Sequence, residues 1–179
     1  MKILLVSTCQ EKLSEREFVY PISSIIADTE HEILHYNNCT SENISMYNKV
    51  IICGTALNDD KYLDNLQKFR EMFCLFEGSI LGICSGMQIV CSIFGGQIID
   101  NCEIGMVTCK TLEPNNFCIG EFEAYSLHNM SVGRLKNFTC LATSESSVQI
   151  VKHNDRPVYG VSFHPEVRNQ EIITNFLKL

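Results

Sequence analysis

The sequence contains no tryptophan and only four prolines, and its ten cysteines nowhere form a Cys-x-x-Cys pair. That last absence removes the usual signatures of a structural zinc site and of a thioredoxin-like redox centre. No apolar run approaches the length of a membrane-spanning helix. The apolar start, Ile3-Leu4-Leu5-Val6, gives way to Ser7 and then to Gln10-Glu11-Lys12. It therefore reads as a first core strand rather than a signal peptide, and the cytoplasm is the expected compartment. Basic tracts are also missing. Fourteen Lys and Arg against 21 Asp and Glu give a net charge of −7, which argues against nucleic acid or an anionic membrane as the main partner. With no glycine-rich nucleotide loop, phosphate cradle or metal-ligand cluster, neither cofactor nor metal is expected, and any ATP requirement would belong to a partner.

What is present is an ordinary globular composition, 45% apolar and 20% charged, in 179 residues. With no linker, repeat or low-complexity stretch, residues 1–179 are expected to form one domain. Apart from Cys84, the cysteines read as small buried hydrophobes in a reducing cell. Lys2 to Ser7, His31 to Tyr36, Lys49 to Cys53 and Ile80 to Ile83 are strand candidates. Between them, Glu15 to Ala27 and Tyr62 to Phe76 show helical spacing. Pro21 should kink or delay the first, and Asp59 or Asp60 could cap the second. This alternation predicts parallel β-α-β units, whose ligands sit beyond the carboxyl ends of the strands. After Gly96 the pattern changes. Gln97 to Asp100, Met106 to Leu112, Cys118 to Tyr125, Thr139 to Thr143 and Val148 to His153 read as short strands of an antiparallel excursion. Pro157 to Phe163 is a further strand, and Glu171 to Leu179 a closing helix.

The chemistry concentrates where the fourth strand ends. Gly82-Ile83-Cys84-Ser85-Gly86 is the sequence form of a nucleophile elbow, with a thiol as nucleophile. A tight strand-to-helix turn crowds the positions two before and two after the nucleophile, so glycine fits both. A helix starting behind Cys84 would favour the thiolate through its dipole. A cysteine nucleophile needs a base and something to orient that base. His164 and Glu166, two apart at a strand end, point to one face in extended geometry and meet that need.

Gly82-Ile83-Cys84-Ser85-Gly86-Met87-Gln88 and Tyr159-Gly160-Val161-Ser162-Phe163-His164-Pro165-Glu166 resemble the two signature segments of class I glutamine amidotransferases. The resemblance covers essentially the whole chain. It implies an α/β fold, a flavodoxin-like three-layer sandwich around a mostly parallel sheet with an antiparallel excursion. It also implies hydrolysis of the side-chain amide of L-glutamine through a γ-glutamyl thioester, with ammonia passed to a synthase partner. In these terms Cys84 is the nucleophile, His164 the base and leaving-group acid, and Glu166 the orienter. The oxyanion would be held by the backbone N–H groups of Ser85 and, from the Gly54-Thr55 loop, Thr55. Gln88, one helical turn beyond Cys84, would contact substrate together with Gly54. Ser126-Leu127-His128-Asn129 resembles the later substrate-binding segment, placing Leu127, His128 and Asn129 at the glutamine α-groups, and Glu103-Ile104-Gly105 would shape a nearby loop.

One stretch departs from the family pattern, and two further positions depart from the pattern of one subfamily. Cys53-Gly54-Thr55-Ala56 stands where a Gly-Gly-Pro-like sequence is usual. The separate glutaminase subunit of guanylate synthetase is similar in length, but it tends to carry an acidic residue where this chain has Met130, and a glycine-containing loop where this chain has Ser7-Thr8-Cys9-Gln10. Two other readings stay open at this stage. One is a self-sufficient γ-glutamyl amide or peptide hydrolase using the same three residues, and the other is a binding module that keeps the fold without catalysis.

Overall fold

A computed structural model describes all 179 residues. Its centre is a nine-stranded sheet in the order β2-β1-β3-β4-β9-β8-β7-β5-β6. The strands β1 (Ile3–Ser7), β2 (His31–His35), β3 (Lys49–Ile52), β4 (Ser79–Ile83) and β9 (Val158–Val161) run parallel. All of β1 and β3 is buried, as continuous aliphatic runs in a two-sided parallel sheet should be. Alternation then assigns the layers. Ile3, Leu5, Ile51, Leu81 and Ile83 pack with Phe18, Ile22, Ile172 and Phe176 on one face. Leu4, Val6, Val50, Ile52 and Ile80 pack with Ile44, Phe69, Phe73 and Val90 on the other. The helices α1 (Glu15–Phe18), α2 (Tyr20–Ile25) and α6 (Glu171–Lys178) thus cover the first face. Covering the second are α3 (Ser41–Ile44), α4 (Leu66–Phe73) and α5 (Ser85–Phe94). The sheet and its two helical layers match the expected three-layer α/β architecture.

Several local expectations are refined. Pro21, in the first turn of α2, does divide the first helical stretch, which breaks at Val19. The Tyr62 to Phe76 stretch begins as a 3-10 turn (Lys61–Asn65) before α4. Asp60 stands at the cap position of that turn but makes no side-chain capping bond, and the Asp59 carboxylate is held elsewhere, by the Gln10 N–H and the Thr55 hydroxyl. The larger correction concerns the antiparallel part. Instead of short strands there are two long ones, β5 (Gln97–Thr111) and β6 (Glu121–Gly133), paired antiparallel with an irregularity between Asp100 and Glu103. Beyond them, β7 (Phe138–Thr143) and β8 (Val148–His153) carry the sheet back to β9. Glu103-Ile104-Gly105 and Ser126 to Asn129 are therefore strand segments opposite one another, not loops.

In the parallel part, β1 lies between β2 and β3, so the chain leaves β1 on one side and returns on the other. Crevices for ligands form beyond the carboxyl ends of strands at such a reversal. The segments that follow β1, β3, β4 and β9 meet there.

Candidate active site

Cys84 is the residue between β4 and α5, and its backbone has φ 50° and ψ −107°. A left-handed conformation is strained for a residue with a side chain, and it persists only where the surroundings impose it. Glycine on either side makes that possible. A Cβ on Gly82 would collide with the Gly86 carbonyl, and one on Gly86 would collide with the Ile52 carbonyl of β3. The elbow is thus pressed directly against the neighbouring strand. The Cys84 thiol contacts the Leu127 carbonyl oxygen of β6 at 3.6 Å.

His164 and Glu166 follow β9 and are buried, at 1% and 5% exposure. The His164 Nδ1 lies 2.8 Å from Glu166 Oε1, a bond that fixes the ring orientation and leaves Nε2 free. Phe18 packs against the imidazole with ring centroids 5.3 Å apart. Nε2 is buried and makes no well-formed hydrogen bond within the protein. Burial pushes the His164 pKa down, but the neighbouring Cys84 sulfur and then Glu166 outweigh it. The imidazole is held well above its ordinary range. Gly54 separates the two reactive groups: a Cβ there would stand 2.8 Å from His164 Cε1 and 3.3 Å from Cys84 Cβ. Burial pushes the thiols of Cys39 and Cys109 up to about 11 and about 12, as expected of core cysteines, whereas Cys74 and Cys102 are exposed rather than buried.

A small pocket opens over Cys84, lined by Thr55, Ala56, Leu57, Asp59, Tyr62 and Ser85, with Gln88 and residues 127–130 closing the far side. Neither the Thr55 nor the Ser85 backbone N–H is engaged in a hydrogen bond within the protein. Such a site, with a strained thiol, an imidazole oriented by a carboxylate and two free amide donors, suits acyl transfer through a tetrahedral intermediate.

The glutamine amidotransferase class-I family matches residues 16–179. The chain belongs to that family. Among relatives of this amidotransferase, the glutamine-hydrolyzing GMP synthase subunit of Pyrococcus abyssi is 31% identical over 87% of the chain and 97% of that protein. The corresponding subunit of Sulfolobus acidocaldarius is 34% identical over 77% of the chain and 79% of that protein. A Thermoplasma acidophilum structure, described as that of a GMP synthase subunit, has a TM-score of 0.88 at 24% identity, covering 99% of this chain and 92% of that one. A Thermotoga maritima glutamine amidotransferase has a TM-score of 0.71 at 19% identity, covering 99% of this chain and 82% of that one. These two likenesses concern the fold.

Of the residues expected at the substrate, Gln88, Leu127, His128 and Asn129 line the pocket, not always with free side chains, while Gly54 lies outside its lining, beside His164 and Cys84. The Gln88 amide donates to the Met130 carbonyl at 2.8 Å and accepts from the Tyr62 hydroxyl. Burial pushes the Tyr62 phenol up, so it stays a donor. Gln88 therefore first braces the pocket wall, with one remaining N–H available to a ligand. His128 points away to the Asn101 carbonyl, Nδ1 to oxygen 3.1 Å, and Asn129 donates to the Leu57 carbonyl at 3.3 Å. Their backbones, not their side chains, are what the pocket offers. Asp59 and Tyr62 line the pocket and were not foreseen as site residues. The only sequence signal was a polar Asn58-Asp59-Asp60 segment that also reads as a helix cap.

Proposed function

We propose that this amidotransferase is the glutamine-hydrolysing subunit of a GMP synthase, releasing ammonia to a separate synthase subunit. The choice of synthase is supported by the likeness to the Pyrococcus abyssi protein along nearly its whole length. The chemistry is supported by one observation above the others: a strained cysteine and a buried His164–Glu166 pair brought together across Gly54.

In this reading the Cys84 thiolate attacks the side-chain amide carbon of L-glutamine. The Ser85 and Thr55 N–H groups receive the oxyanion, each such donor contributing roughly 3 to 4 kcal/mol in comparable enzymes. His164, protonated and oriented by Glu166, gives its Nε2 proton to the departing nitrogen, leaving a γ-glutamyl thioester and ammonia. Neutral His164 then takes a proton from water, which attacks the thioester carbonyl and frees glutamate and the thiol. No further reactant is needed. The backbone of Leu127 to Asn129 and the spare Gln88 N–H would hold the rest of the substrate.

The test is ammonia release from L-glutamine by the purified protein, alone and with the GMP synthase ATP-dependent subunit, beside Cys84→Ala. The expected outcome is activity that rises with the partner and falls to background in the variant. Equal ammonia from both proteins would remove Cys84 from the mechanism. Ready turnover of γ-glutamyl peptides by the chain alone, with no response to the synthase, would replace this reading by that of a self-sufficient hydrolase.

A further inference from the structure

An oxyanion hole works only if both donors are fixed relative to the nucleophile before the reaction begins. The Ser85 N–H is fixed by its place at the start of α5 and by the contact of Gly86 with β3. Thr55 has no such frame, because it lies past the end of β3 in a segment without ladder bonds. Its side chain is buried nonetheless, at 3% exposure, and its hydroxyl donates to Asp59 Oδ2 at 2.6 Å. The same carboxylate oxygen accepts the Gln10 N–H, from the segment after β1. The Asp59 N–H donates to the Ala56 carbonyl at 2.9 Å, closing the turn between them. Two residues before Gln10, the Thr8 hydroxyl bonds the Cys53 carbonyl and lies 3.0 Å from the Ser85 hydroxyl.

One short segment, Thr8 to Gln10, is therefore bonded towards both donors: through Thr8 to Ser85, and through Gln10 and Asp59 to Thr55. We propose that Asp59 is a positioning residue for glutamine hydrolysis, its carboxylate holding the Thr55 hydroxyl against the Gln10 amide so that the Thr55 N–H points at the oxyanion. This rests on the glutaminase reading above. Ser7 to Gln10, which departs from the pattern of the guanylate synthetase glutaminase subunit, and Gly54 to Ala56, which departs from that of the family, are then parts of one hydrogen-bonded unit. A capping role for Asp59 does not compete, since the 3-10 turn after it has no side-chain cap. Both partners of Oδ2 are donors, so an acceptor is required there, while Oδ1 is buried with no partner. An asparagine can supply the acceptor with its single oxygen, but it must bury its NH2 where Oδ1 stood.

The experiment measures kcat and KM for glutamine with the synthase subunit present, the rate of Cys84 alkylation by iodoacetamide, and the thermal midpoint. The variants are Asp59→Ala, Asp59→Asn, Thr55→Val and Thr55→Ser. Asp59→Ala and Thr55→Val are each expected to lower kcat about 10- to 100-fold with KM within about twofold, since the lost contact serves the transition state. The double variant should be no slower than the slower single one, because both remove the same link. Asp59→Asn should fall between Asp59→Ala and wild type, and Thr55→Ser, which keeps the hydroxyl, should lose less kcat than Thr55→Val. Alkylation, in which the sulfur displaces iodide without forming an oxyanion, should be unchanged throughout. Unchanged kcat in Asp59→Ala and Thr55→Val, losses that multiply in the double variant, or a matching drop in alkylation would overturn the proposal. Failure of the glutaminase reading is seen separately, as ammonia release that survives Cys84→Ala.

Discussion

The parallel and antiparallel halves of the sheet hold their sides of the pocket by different means. In the parallel half, position comes from backbone: apolar strands buried on both faces, a left-handed Cys84, and glycines where no side chain fits. In the antiparallel half, it comes from a buried carboxylate. Glu103 of β5 accepts hydrogen bonds from Ser126 of β6, from Ser144 and Ser146 in the β7–β8 turn, and from Gln149 of β8. Gln149 in turn accepts from Ser162, two residues before His164. Burial alone would raise the Glu103 pKa, but the four hydrogen bonds more than offset it and hold the group below its ordinary range. The difference teaches where damage should appear. Substitutions in the first half should strike turnover while sparing the fold, and those in the second should strike stability while largely sparing turnover.

Gly54→Ala gives the largest expected effect. The added methyl would press on the His164 ring at 2.8 Å and on Cys84 at 3.3 Å. The ring must move, and displacements of about 1 Å in a reacting pair cost on the order of 100-fold in rate. The kcat should fall by that order, with a thermal midpoint within about 3 °C of wild type, because only a side chain bordering a pocket yields. A stability loss larger than the activity loss would erase the proposed distinction.

Glu103→Gln should show the reverse. The amide keeps the shape but loses the charge, and its NH2 faces donors on one side. Hydroxyls can turn to accept from it; the Gln149 NH2 cannot. Losing charge-assisted bonds of this kind costs about 1.5 to 3 kcal/mol, a fall of about 5 to 10 °C in midpoint for a chain of this size. The kcat should remain within about threefold. A variant as stable as wild type but unable to turn over would move Glu103 into the catalytic machinery.

The same contrast explains what could be read from the sequence. The parallel half follows strong local signals: Ile3 to Ser7 is a buried strand on its face, Pro21 breaks its helix, and Gly82-x-Cys84-x-Gly86 specifies a turn that little else can make. In the antiparallel half the local signal misleads. Asn101-Cys102-Glu103 and Ser126 to Asn129 are polar enough to read as loops, yet they are strand segments whose polar groups satisfy one another across the sheet. That compensation is long-range, as between Glu103 and Gln149, and no window along the chain contains both partners. Asp59 was hidden for the same reason, its partners being Gln10 and Thr55 rather than the helix it precedes.

The smallest effect concerns His128, which faces Glu103 across β5 and β6 with Nε2 3.7 Å from Oε2. Burial pushes the His128 pKa below 6.5, outweighing the Asn101 carbonyl and Glu103, so the pair is not an ion pair at neutral pH. The unfolded chain therefore takes up this proton before the folded one does. Stability from a neutral buried His128 is fully present above pH 6.5 and is lost as the pH falls through the lower, folded-state value. The slope is at most about 1.4 kcal/mol per pH unit. His164 works in the opposite sense, because its raised pKa contributes stability that is lost as pH rises. His153 is also lowered by burial and adds an acid-side slope of its own. Comparing wild type with His128→Asn by denaturation at pH 7 and pH 5 isolates the one residue. The gap between the two pH values should shrink in the variant, and an unchanged gap would place the acid sensitivity of the antiparallel half in the Glu103 cluster or in His153 instead.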